Sequence, residues 1–134
     1  MSSSIALLSF AGWTLLLVLV IASWRGGLTL LRRRSANSFT VTGEDLSPFA
    51  ARLARAHANC VENLPVVAVV LLVAITSGHT AITDPLAPVL VAARVGQSTV
   101  HLLSTNNPAV VLRYSLFMTQ QGILVWWLMQ LLRL

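Results

Sequence analysis

The sequence predicts an all-α integral membrane protein: one domain over residues 1–134, built as a four-helix up-down bundle. Three observations predict it. Of 134 residues, 56% are hydrophobic and only 10% charged, with mean hydropathy +0.78, which lies outside the range of soluble domains. The apolar residues come in long runs separated by connections rich in Pro, Gly, Ser and Asn. The basic residues, nine arginines and no lysine, cluster near the ends of those runs.

The first run, Ile5 to Trp24, has 20 uncharged residues, which at about 1.5 Å per residue matches a hydrocarbon core of about 30 Å. No positive charge precedes it, and it is too long for the core of a signal peptide, so it is expected to stay as a span. With Arg25-Gly-Gly and the next apolar residues the first helix covers about residues 5–31 and ends at Arg32-Arg33-Arg34. Residues 35–47 form the longest polar connection. Ser47-Pro48 reads as an N-cap with proline in the first helical turn, which opens a second span over about 48–77 with Pro65 inside it and a bend beside Glu62. A short turn through Gly78 to Asp84-Pro85 leads to a third span, about 85–104. The turn at Ser104 to Pro108 leads to a fourth, about 109–133.

Orientation follows from the arginines. Arg25, Arg32, Arg33, Arg34, Arg52 and Arg55 lie at or just beyond the first connection and Arg113 beside the third, whereas the other side has only Arg133. By the positive-inside tendency both termini lie outside and the arginine-bearing connections face the cytoplasm. The arginines are split among membrane segments and form no soluble basic face, so no nucleic-acid partner is expected. Cys60 stands alone, which excludes an intrachain disulfide and a cysteine-based metal site; no metal is expected.

Two stripes carry the chemistry. Arg55, Asn59 and Glu62 stand at i, i+4 and i+7 on the second span, and Arg94, Gln97 and His101 at i, i+3 and i+7 on the third. At about 100° per residue each set shares one helix face. Ionisable groups are costly against lipid, so each face must meet protein, water or a polar ligand. Arg113-Tyr114 begins the fourth span, with Gln120 and Gln121 deeper. Arg55, Arg94 and Arg113 exceed what Glu62 can neutralise, so the site they would build wants an anion, held by bidentate carboxylate pairing. The alternative is a set of interhelical struts, with Arg94 paired to Glu62 and amides bridging helices. His57 falls roughly opposite the Arg55 stripe and is expected against a neighbouring helix. Trp13, Trp24, Trp126 and Trp127 read as interface anchors and packing.

At Arg55-Ala-His57-Ala-Asn59-Cys60-Val-Glu62-Asn63-Leu-Pro65, with an arginine-led third span and an arginine in the fourth, the chain resembles the membrane-associated proteins in eicosanoid and glutathione metabolism, the MAPEG family. The resemblance implies a homotrimer with glutathione as cosubstrate, bound on the cytoplasmic side between subunits. It implies that Arg55, Asn59 and Glu62 hold glutathione, Glu62 taking its amino group and the arginine its carboxylate. Arg94, Gln97, His101 and Tyr114 would line the adjoining wall. Arg113 would sit at the sulfur, where a cation lowers the thiol pKa and favours the nucleophilic thiolate. The leukotriene and prostaglandin enzymes of the family carry tyrosine where His101 stands, and the prostaglandin enzyme carries serine where Tyr114 follows the arginine. The implied activity is therefore a glutathione transferase or peroxidase of a bacterial inner membrane, with a lipophilic small-molecule substrate arriving through membrane lipid. A non-catalytic lipid or glutathione binder of the same fold is the alternative. A small multidrug exporter, which relies on a glutamate in its first span, fits less well because the first span here has no acid.

Overall fold

The computed structural model describes all residues, Met1–Leu134, and the chain is all-helical. It contains α1 (Ser3–Leu30), α2 (Pro48–Thr76), α3 (Thr80–Thr83), α4 (Ala87–Leu103) and α5 (Asn107–Leu131). Five helices thus stand where four were expected. The extra one, α3, is a single turn inside the connection read from sequence as a plain turn, closed by the Asp84 amide on the Thr80 carbonyl at 2.8 Å. The turn Asp84-Pro85-Leu86 separates it from α4. In consequence α4 begins at Ala87 rather than near residue 85, and its 17 residues reach about 26 Å. α1 and α2 are long and apolar enough to cross a membrane.

Local chemistry sets the helix starts. The side chains of Ser2, Ser47 and Asn106 accept from the amides of Ile5, Ala50 and Ala109 at 3.4, 3.0 and 3.0 Å, each satisfying a donor that a helix N-terminus leaves free. Pro48 and Pro108 occupy first-turn positions where no amide is needed. α2 continues through Pro65 as one helix.

α1 stops at Leu30, just before the arginine triplet. Arg32 adopts φ 53, a left-handed turn, and the Arg33 and Arg34 amides close back on the Leu28 carbonyl at 3.0 and 3.4 Å. The triplet is not uniform: Arg34 folds inward to pair with Asp45 at 2.9 Å and donates to the Asp45 and Ser38 carbonyls. Arg25 likewise reaches the Thr40 carbonyl at 2.7 Å. These two arginines order the 35–47 connection. The Thr40 hydroxyl, then backbone amides and the Arg34 guanidinium, hold the Asp45 carboxyl below the usual carboxylate range. Gly43 lets this connection lie down on α2: its φ is +71, and a Cβ there would stand 2.8 Å from the Ala50 carbonyl oxygen.

Polar contacts between distant residues fix the helix directions. Ser3, at the start of α1, donates through its amide (2.7 Å) and its hydroxyl (2.6 Å) to Asp84, and its hydroxyl shares a 2.6 Å bond with Thr83. At the opposite end Arg52, in the first turns of α2, donates to the Leu102 carbonyl near the end of α4 at 2.9 Å. The four long helices therefore alternate in direction. A larger core of Phe10, Val67, Leu71, Leu90, Leu124, Trp127 and their neighbours fills the end near the termini. A smaller one, Leu17, Leu53, Ala56 and Cys60, lies toward the arginine-bearing end. Outside these cores α1, α2 and α5 turn apolar side chains such as Leu8, Leu19, Val69, Leu72, Val125 and Met129 outward, as helices facing lipid or other apolar helices do.

Candidate ligand-binding cleft

Asn59 from α2, Gln97 and His101 from α4, and Val110, Arg113, Tyr114 and Phe117 from α5 line one open cleft of about 300 Å³. It lies toward the arginine-bearing end, where α4 and α5 pack on each other along most of their lengths. Gln97 and His101 are one helical turn apart, as are Arg113 and Phe117. Two walls thus alternate polar groups with apolar surface. Arg113 and His101 are half-buried, Tyr114 is exposed, and the Arg113 Nε, enclosed by protein, has no acceptor in the chain. No carboxylate lines the cleft. A fixed cation with free donors and no neighbouring acid is an environment for an anion or a thiolate.

The other expected site residues lie elsewhere. Arg94 is 1% exposed and points into the protein beneath the cleft, its Nη1 donating to the Asn59 carbonyl at 3.3 Å and its guanidinium 5.0 Å from the Phe10 ring centroid. Its Nε and Nη2 are buried without a partner. The strut that the alternative reading placed between Arg94 and Glu62 is absent, and Glu62 lies on the exposed side of α2. Arg55 extends outward, 3.9 Å from Glu44, with 70% and 64% of the two side chains exposed. Arg55, Arg94 and Arg113 therefore do not converge within one chain. The physical reason is angular: Asn59 sits at the edge of the α2 stripe that borders α4 and α5, while Arg55 and Glu62 lie on its outer flank. A second hollow of about 330 Å³ follows that flank, lined by Arg25, Arg55, His57 and apolar residues of α1 and α2. His57 lines this hollow between α2 and the neighbouring α1.

The deeper amides of the fourth span, Gln120 and Gln121, bridge helices beneath the cleft, with Asn63 of the second-span motif as one partner. Gln121 Nε2 donates to Asn63 Oδ1 at 2.8 Å, and Asn63 Nδ2 donates to the Asn59 carbonyl at 2.9 Å. Gln120 Nε2 donates to Gln97 Oε1 at 2.9 Å and to the Leu116 carbonyl. Two consecutive amides in an otherwise apolar run need partners when buried.

The MAPEG family model matches residues 3–133 of this chain, all but its outermost residues. The chain is a member of the MAPEG family. Members use glutathione and membrane lipids, and glutathione transferases are among them. Comparison with curated proteins and with solved structures returns no match. As a MAPEG protein with two strongly apolar helices, the chain is an integral membrane protein.

Proposed function

We propose that this MAPEG protein is a membrane-bound glutathione-dependent transferase/peroxidase acting on lipophilic electrophiles or hydroperoxides drawn from the bilayer. The observation that carries the reading is the acid-free cleft in which Arg113 offers unpartnered guanidinium donors beside Asn59, Gln97 and His101. In this reading the Arg113 cation stabilises the glutathione thiolate, which raises the fraction of nucleophile present at neutral pH. The thiolate then bonds to the electrophilic carbon, or attacks the outer oxygen of a hydroperoxide, breaking the O–O bond to release the alcohol, after which a second glutathione displaces water from the sulfenic acid to give the disulfide. Gln97, His101 and Tyr114 contact the tripeptide from the α4 and α5 walls, and Asn59 from α2. Phe117 and Val110 offer apolar surface toward the lipid-borne partner.

Arg55 and Glu62 enter this reading through assembly. In one chain they face away from the cleft, so the proposed glutathione contacts of these two residues require a neighbouring copy to bring a second wall against the outer flank of α2. A homotrimer in a bacterial inner membrane, with the cleft opening to the cytoplasm and both termini outside, completes the proposal.

The test is glutathione conjugation by detergent-solubilised protein, with thiolate absorbance followed as glutathione is added. Turnover together with a saturable thiolate signal, both lost in Arg113→Ala, supports the enzyme. Saturable glutathione or lipid binding without turnover or thiolate moves the protein to the non-catalytic binder.

A further inference from the structure

Gln120 and Gln121 are consecutive, yet their side chains leave α5 in different directions. Gln120, 1% exposed, reaches α4 and bonds Gln97. Gln121 reaches α2 and bonds Asn63, whose amide in turn donates to the Asn59 carbonyl. Arg94 donates to that same carbonyl from α4. The result is two polar contacts from neighbouring residues of α5, one to α4 and one to α2, and they reach Gln97 itself and, through Asn63, the Asn59 carbonyl, both residues of the cleft.

The position of this joint along α5 gives it a consequence. Arg113, Gln120 and Trp127 are seven residues apart in turn, so they share one face, with Gln120 about 10 Å below Arg113. Along that face the chain passes from an open cleft, through the buried Gln120 amide, to the fully buried Trp127. A bonded amide pair has a fixed length and direction. A slip of α5 by part of a turn would break the bonds of Gln120 and Gln121 and leave the Gln97 carbonyl oxygen and the Gln120 amide without each other inside the protein.

We infer that Gln120 and Gln121 act as a two-armed amide clamp that fixes the register of α5 against α2 and α4 and so sets where Arg113 stands relative to Asn59, Gln97 and His101. They are positioning residues: neither lines the cleft. The inference rests on the proposed glutathione chemistry for its kinetic consequence only. The clamp itself is a statement about cleft geometry.

The experiment uses full-length protein in detergent, comparing Gln120→Leu, Gln121→Leu, and the reciprocal double variant Asn63→Gln with Gln121→Asn, which restores an amide pair of the same total length. Two readouts are taken: the NMR ring resonances of His101, with His57 and His79 as internal controls, and the kcat and thiolate absorbance at saturating glutathione. The leucine variants are expected to shift the His101 resonances alone and to lower kcat at saturation about ten-fold, as small misplacements of a reacting group do. The double variant should recover both. His101 resonances that stay unmoved in both leucine variants, with only a lower melting temperature, would overturn the clamp whatever the activity. If wild-type protein neither turns over nor binds glutathione, the transferase reading fails by itself, and the His101 resonances still decide the clamp. If both leucine variants unfold, the double variant decides: native melting with displaced His101 resonances also overturns it.

Discussion

The two ends of this molecule are built on opposite plans. Near the termini, Phe10, Leu71, Leu90, Leu124 and Trp127 close around one another, and Ser3, Thr83 and Asp84 satisfy each other directly, with the Trp127 indole N–H the one buried donor left without an acceptor there. Toward the arginine-bearing end the core shrinks to Leu17, Leu53, Ala56 and Cys60. Hollows open on both flanks of α2, and Arg94 and Arg113 keep guanidinium donors without acceptors. Burying polar groups without partners is costly, so a structure keeps them where a ligand completes them or where the fold cannot avoid them. One end therefore supplies stability and the other trades packing for binding capacity. The amide joint of Gln120 and Gln121 lies at the boundary, where a slip would otherwise pass from one end to the other.

That contrast can be broken at either end. The largest effect is expected from Arg113→Ala: under the proposed chemistry, conjugation at saturating glutathione falls about 100-fold, as when one charge-stabilising donor is removed, while the melting temperature in detergent holds. Next comes Trp127→Ala. It empties the largest buried side chain of the closed end and should cost about 3 kcal/mol, read as a lower melting temperature with little change in the KM for glutathione.

A smaller effect is expected from acid. Ser3, through its hydroxyl and then its amide, with the terminal amino charge nearby, holds the Asp84 carboxyl below its ordinary 3.8. Because the folded value is depressed, the stabilisation is present above pH 3.8 and is lost as pH falls through the lower folded value. Wild-type protein should lose more of its melting temperature between pH 6 and pH 3 than Asp84→Asn; equal losses would mean the contact contributes nothing. The smallest effect is expected from Glu44→Gln, since its pairing with Arg55 is long and exposed at both partners. Stability should stay within about 0.5 kcal/mol of wild type, and a larger fall would show that the outer flank of α2 is more closely built than the contact distance implies.

Much of the architecture was legible in the residue order. Twenty uncharged residues after Ser4 require a long helix, Ser47-Pro48 states where α2 begins, and the arginine triplet marks the end of α1 to within two residues. The four-residue α3 was not legible, because one isolated helical turn has no periodicity to read. For the site, sequence spacing grouped Arg94, Gln97 and His101 on one face, and Gln97 and His101 do share a cleft wall. It could not tell that Arg94 would be drawn inward, since that depends on Phe10 and the Asn59 carbonyl arriving from two other helices.

By itself, then, the order of amino acids determined where the helices run, which residues share a helical face, and the membership of the chain in its family. These follow from backbone periodicity, capping and hydropathy, all of which act over a few turns. Only the tertiary structure decided which part of each face points at another helix. The rotation and register of α2, α4 and α5 are set by contacts between residues tens of positions apart, and those contacts put Asn59 in the cleft, left Arg55 and Glu62 outside it, and sealed Arg94 beneath.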